Sequence, residues 1–239
     1  MVIKLARDNA AKLQAVAAIF KKQIDSGLIE RVSYSGKSGC HYVPNLTVEK
    51  PDSKTTPLRV VMDWATKTRD GVSLNDCLET GEPLQNNIVE ILINFGIWKI
   101  GIVFDIEKAF HKIQLHKEDR DFTRFLWLSD PTDPNSRFDI FRSTVVPFGA
   151  RPSPFILNCV LHLNLNKFPS WVAADILRYI YVDNLSSGRA SKAESQQYFD
   201  DSNKMLPLFI SSRGVSATPR LTPKPQPVAS PTRQRLQKS

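Results

Sequence analysis

The chain has 239 residues, is 41% hydrophobic and carries a formal net charge of +8. That length holds one substantial domain plus an appendage, and the composition is that of a soluble globular protein. The charge does not by itself announce a nucleic-acid groove: Arg213, Arg220, Lys224, Arg233, Arg235 and Lys238 supply six of the eight charges after Leu206, leaving +2 for residues 1–205.

Three cysteines, Cys40, Cys77 and Cys159, are widely spaced with no Cys-x-x-Cys pair. They read as reduced packing cysteines of an intracellular protein, and a structural zinc site is not expected. The first residues mix Lys4, Arg7 and Asp8 and hold no apolar core, so a secretory signal is not expected either. The longest apolar region, Ile88 to Phe104, is broken by Glu90, Asn94 and Lys99. It divides into a helix and a strand rather than a membrane span, so no membrane partner is expected.

In chain order, Leu13, Val16, Ala17, Phe20 and Ile24 form a helical stripe within residues 10–30, with Gly27 as a left-handed stop. Lys12, Lys21 and Lys22 make its solvated face. Residues 33–56 read as loop, punctuated by Gly36, Gly39, Pro44 and Pro51, with Cys40-His41-Tyr42-Val43 as a short strand inside it. Leu58 to Trp64 is an apolar strand with Arg59 near its start and Asp63 near its end, and residues 68–83 are a second loop. Leu84, Ile88, Ile91, Leu92 and Phe95 predict an amphipathic helix ended by Gly96. A strand then runs through Gly101-Ile102-Val103-Phe104 and delivers Asp105 at its end.

Beyond it, Ile113 to Leu115 is extended, and Lys117 to Asp121 makes one exposed helical turn. Phe122 to Leu128 and Phe138 to Val146 are strands joined by a turn-rich link. Ser153 caps a largely buried helix that has Pro154 at its first position and runs to about Lys167. Leu177 to Val182 is a strand, Asp183-Asn184 a tight turn, and Lys192 to Met205 a last helix. The remainder holds six of the chain's 16 prolines and reads as a disordered tail.

Two strand-borne carboxylates, Asp105 and Asp183, flank Phe148-Gly149-Ala150-Arg151-Pro152-Ser153-Pro154. Strand-Asp, then Phe-Gly-x-x-x-Ser-Pro, then aromatic-x-Asp is the ordered set of a polymerase palm. Nucleotidyl transfer uses two divalent cations, and magnesium takes hard oxygen ligands from a few carboxylates, water and substrate phosphates.

From about Val16 to Phe199 the chain resembles the reverse transcriptase of long-terminal-repeat retroelements, most closely the BEL/Pao group. The likeness is densest in Leu58-Arg59-Val60-Val61-Met62-Asp63, Gly71-Val72-Ser73-Leu74-Asn75-Asp76, Phe104 to Phe110, Glu118 to Trp127 and Tyr181-Val182-Asp183-Asn184. The resemblance implies an α+β palm, an antiparallel sheet with packed helices, plus fingers elements. Residues 1–32 would form an N-terminal helical segment, 33–206 the fingers and palm, and 207–239 the Pro-rich basic tail. It also implies RNA-directed DNA synthesis on a primed RNA or DNA template from deoxynucleoside triphosphates, with two Mg2+ ions. By the same resemblance, Asp105 and Asp183 are catalytic metal ligands, and the Ile106 carbonyl is a further metal contact. Phe110 lies under the incoming sugar, Arg59 grips the triphosphate as a guanidinium fork can, and Phe148 and Gly149 line the nucleotide pocket.

Two departures from the family pattern stand out. Asn184 occupies the place of a second aspartate and brings no negative charge to the metal site, while suiting a tight turn. After Met205 the likeness dissolves, so the thumb that grips the duplex is not expected. Rival readings are a catalytically weakened or dead nucleic-acid-binding remnant, and an interaction protein acting through Pro223-Lys224-Pro225-Gln226-Pro227.

Overall fold

The computed structural model describes residues 9–33, 39–53, 57–133 and 135–206. The calls on the first eight residues and on the 207–239 tail therefore lie outside the described residues. Helix α1 (Ala10–Asp25) opens on Asn9, whose side chain accepts from Lys12 N–H, and ends before Gly27 at φ +69°. Its apolar stripe buries Leu13, Val16 and Phe20 against a three-stranded antiparallel sheet. The strands are β1 (Ile29–Val32), β5 (Phe125–Leu128) and β6 (Phe138–Ser143), in the order β1-β6-β5. Phe20 stacks on Phe125 at 5.3 Å and tilts against Trp127 at 4.6 Å, so aromatic packing joins helix to sheet.

A two-stranded ribbon of β2 (Asn45–Glu49) and β3 (Leu58–Met62) pairs antiparallel, with Val48 opposite Arg59. Short helix α2 (Leu74–Cys77) follows, opened by a capping box of Ser73 and Asp76. Helix α3 (Ile88–Ile97) leads into β4 (Ile100–Asp105). A second three-stranded sheet, where the resemblance would put the palm, has the order β4-β8-β7, with β7 (Ile180–Tyr181) and β8 (Asn184–Arg189) forming a hairpin. Ile102 and Phe104 of β4 and Leu185 of β8 alternate onto one face. There they join the main core with Leu157, Leu161 and Leu165 of α4 (Ser153–Leu165), Val172 and Ile176 of α5 (Trp171–Tyr179) and Tyr198 of α6 (Lys192–Met205). No helix among the described residues is long and apolar enough to cross a membrane.

Several expectations need correction. Residues 29–32 and 45–49 are strands where helix end and loop were expected, because each finds a partner distant in sequence, β6 and β3. Cys40 to Val43 makes one bridge, Tyr42 to Arg124, instead of a strand. The helix expected from Leu84 starts at Ile88, where the Asn87 side chain accepts from Val89 N–H, and it passes through Gly96. Ser153 does not cap α4; its hydroxyl donates to the Pro147 carbonyl at 2.6 Å, and Pro152 holds the cap position. Leu177 lies in α5, so the strand before Asp183 is only two residues long.

Candidate active site

Period-two burial explains how β4 presents its carboxylate. Ile102, Phe104 and then Ile106 point into the core, so Val103 and Asp105 point the other way. Pairing of β4 with β8 sets Asp105 directly opposite Asn184, and Ile106 N–H donates to the Asp183 carbonyl at 2.8 Å. Segments almost eighty positions apart in sequence, Asp105-Ile106 and Asp183-Asn184, thus meet where the two strands end. Burial first, then the negative charges of Asp183 and Glu107, push the Asp105 carboxyl above its ordinary 3.8. The Asn184 amide donates to Asp183 Oδ1 at 2.9 Å.

The turn is displaced by one residue from the expected position. Val182 and Asp183 form it, and Asn184 already belongs to β8, opposite Tyr181. Asn184 is therefore not there to satisfy a tight turn. The left-handed residue is Val182, at φ +57°, a strained conformation for a β-branched side chain. Lys108 (φ +54°) is the other non-glycine residue with positive φ among those described, so both lie in the loops adjoining the carboxylates.

After Asp105, Ala109 N–H returns to the Ile106 carbonyl at 3.2 Å and opens a short 3-10 turn over Ala109–Lys112. Phe110 is buried in the main core and meets Phe148 edge-on, with centroids 4.5 Å apart. Phe148 is half exposed, so it is the ring that this surface offers to a ligand, with Phe110 behind it. His111 packs on the other side of Phe148 at 5.4 Å; burial, then Lys108, lower its pKa.

The loop bearing Phe148 and Gly149 is held from the segment after β3. Trp64 Nε1–H donates to the Phe148 carbonyl at 2.7 Å; Asn75 donates to the Gly149 carbonyl at 3.1 Å and accepts from Arg151 N–H at 2.8 Å. Gly149 has φ +86°, and a Cβ there would lie 3.0 Å from Trp64 Cδ1. The glycine is thus demanded by the loop's own backbone and by the indole beside it. Trp64 and Asn75 were missed as site residues. The signals available were an aromatic just past a strand and an Asn inside the Ser73–Asp76 capping box.

The family model for reverse transcriptase (RNA-dependent DNA polymerase) matches residues 55–206. The chain belongs to the reverse transcriptase family. Two solved structures share its fold: a foamy viral protease-reverse transcriptase in complex with double-stranded DNA, at TM-score 0.61 and 18% identity over 84% of this chain, and the native prototype foamy virus protease-reverse transcriptase, at TM-score 0.62 and 17% identity over 84% of this chain. This chain spans 30% and 23% of those two chains respectively. No curated protein matches.

Within this reverse transcriptase fold Arg59 occupies an exposed position on β3 of the two-stranded ribbon, not in the palm sheet. The cation donors would be the Asp105 and Asp183 carboxylates, the Ile106 carbonyl and the Asn184 amide oxygen, all hard oxygens. Among the described residues no three acidic, His or Cys side chains cluster as a metal centre. Burial, then the charges of Asp183 and Glu107, disfavour the Asp105 carboxylate, and a cation at these oxygens would offset both, so the residues present fit one. A second polar cluster lies at the far end of β8. There Arg189 is buried, pairs with Asp175 at 3.0 Å and lies over the Tyr198 ring at 3.9 Å and the Trp171 ring at 4.8 Å. Its charge is spent on those partners, so it ties α5 and α6 to the sheet.

Proposed function

We propose that this chain is the fingers-and-palm unit of an LTR-retroelement polyprotein of the BEL/Pao group and acts as an RNA-directed DNA polymerase. Its substrates are deoxynucleoside triphosphates and the 3′-hydroxyl of a primer on an RNA or DNA template. The observation that carries this reading is the β4–β8 register, which sets Asp105 opposite Asn184 and beside Asp183 at the open edge of the palm sheet.

Asp105, Asp183 and the Ile106 carbonyl would hold two Mg2+ ions jointly with the nucleotide phosphates. The bound ions supply activation of the 3′-hydroxyl and neutralisation of the leaving pyrophosphate. The chain's own contribution is placement. Main-chain pairing holds the two carboxylates, and Phe148 over Phe110 offers a wall against a ribose 2′-hydroxyl. Arg59 is assigned to the triphosphate. Asn184 leaves the site one negative charge short, so its cation affinity is low.

Primer extension with Mg2+ or Mn2+ tests the reading. The Asn184→Asp chain should extend at least about tenfold faster at limiting Mg2+, the factor that about 1.4 kcal/mol of added cation affinity represents. Asp105→Ala should abolish extension in both backgrounds. Extension by Asp105→Ala equal to that of the parent chain overturns the proposal. A second reading, a nucleic-acid-binding remnant without synthesis, is favoured by the Asn184 amide bonded to Asp183. It predicts template binding with no extension even in Asn184→Asp.

A further inference from the structure

The hairpin that carries Asp183 is short and has one unsupported side. Strand β7 is two residues long and lies at the edge of the palm sheet, beyond β8. With a two-residue loop, the closing pair Tyr181–Asn184 exchanges the ladder hydrogen bonds, so Ile180 turns its carbonyl outward. The end of α5 leaves a second orphan acceptor, the Leu177 carbonyl, beside it. Both are taken by one side chain from a distant part of the chain. Asn86 Nδ2 donates to Leu177 O at 2.7 Å and to Ile180 O at 2.9 Å. Two carbonyl partners admit only the amide nitrogen, so the orientation of the Asn86 side chain is unambiguous.

Asn86 lies in the strap 78–87 between α2 and α3. That strap is seated a few residues earlier as well. Gly81, at φ +79°, lies so close to the Phe155 ring of α4 that a Cβ there would come within 2.2 Å of it. Asn87, the residue after Asn86, caps α3. The strap is therefore fastened to α4, to α3 and to the α5–β7 junction.

We propose that Asn86 is a positioning residue for the catalytic turn: by holding the outer edge of β7 it sets where Asp183 stands against Asp105. It touches neither reacting atoms nor cation. The strained turn at Val182 needs such support, because a two-residue strand supplies little pairing of its own to hold it. The inference rests on the polymerase reading for its purpose, but not for its test.

The Ile106 N–H, bonded to the Asp183 carbonyl, reports directly on the turn's position. Amide hydrogen exchange followed by 15N NMR on the full chain compares the parent with Asn86→Asp, which keeps the shape and removes the donor, and Asn86→Ser, which keeps a donor but is too short to span both carbonyls. Exchange at Ile106 should rise at least about tenfold in Asn86→Asp and by less in Asn86→Ser, while the Val43 amide in the fingers is unchanged. Unchanged Ile106 exchange in Asn86→Asp overturns the proposal. If that variant loses protection everywhere, Asn86→Ser decides, and parental exchange at Ile106 in it is the overturning result. In parallel, Mn2+ binding measured by electron spin resonance should weaken in the same order. A parent chain that binds no Mn2+ would sink the polymerase reading and leave the exchange result to judge Asn86.

Discussion

Asp105 is a carboxylate kept where its own charge is disfavoured. Burial raises its pKa first, and the charges of Asp183 and Glu107 raise it further. A carboxyl raised on folding favours the protonated form, so its contribution to stability is complete below the ordinary 3.8 and is lost as pH rises through the folded value. At neutral pH the native state therefore bears a partly desolvated and repelled charge that Asp105→Asn removes. Asp105 stands exposed at the strand end, so solvent screens much of this effect, and that variant should melt only about 1 °C higher at pH 7, the shift that a few tenths of a kcal/mol produces in a domain of this size. The gain should vanish when calorimetry is repeated below pH 3.8. A lower melting temperature for Asp105→Asn at pH 7 would show that the carboxylate is stabilising and contradict this account. Saturating Mg2+ should erase the difference from the other side, by stabilising only the parent.

At the scale of elements, legibility in the sequence followed locality. Helix α1, strand β4, helix α4 and the capped helix α6 each carry their own pattern: an apolar stripe, an alternation, or a Ser191–Glu194 box. Strand β2 does not, since Leu46 and Val48 are substantially exposed and only pairing with β3 defines it. Helix α5 carries a stripe of Val172, Ala173 and Ile176 that went unread, and its last turn, which runs straight into β7, was read as strand. The places of Asp105 and Asp183 beside strands could be read one by one; that Asp105 faces Asn184 across β4–β8, with Asp183 in the turn beside it, depends on a register that no local pattern encodes. Asn86 was invisible for the same reason. The β1-β6-β5 sheet shows such non-local dependence in charge. Asp121 accepts from Arg124 at 3.0 Å and from Arg142 at 2.7 Å, and Arg142 also donates to Glu30 of β1 at 2.7 Å. Burial pushes the Asp121 carboxyl up, but the hydrogen bonds from Arg142 and Arg124 outweigh it and hold the pKa below 3.8. A depressed carboxyl contributes stability above 3.8 that is lost as pH falls through its folded value. Because the Arg124 side chain is 1% exposed, Asp121→Ala leaves a buried guanidinium short of its carboxylate, at a cost of about 3 kcal/mol. Urea unfolding at pH 7 should show it as a lower midpoint with an unchanged slope. A shift under about 0.5 kcal/mol would mean the network is solvated and weak.

For the whole molecule, the net charge is concentrated near one end of the sequence. Residues 1–205 are near neutrality, and the six basic residues after Leu206 stand without a single acid among them. Phosphate contacts supply most of the affinity for a nucleic-acid backbone, and each one neutralised lowers the logarithm of affinity by about 0.9 per tenfold rise in salt. If the tail supplies the grip, replacing Arg213, Arg220, Lys224, Arg233, Arg235 and Lys238 by Gln in the full chain should flatten the salt dependence of duplex binding by up to about 5 log units per decade of salt. The Asp105–Asp183 edge should be untouched, so Mn2+ binding at that site should stay at the parental level. An unaltered salt slope would assign duplex binding to the folded fingers and palm, where Lys and Arg are nearly balanced by Asp and Glu. The contacts would then have to come from local basic surface such as Arg59, Lys108 and Arg151, each of which stands at an exposed position.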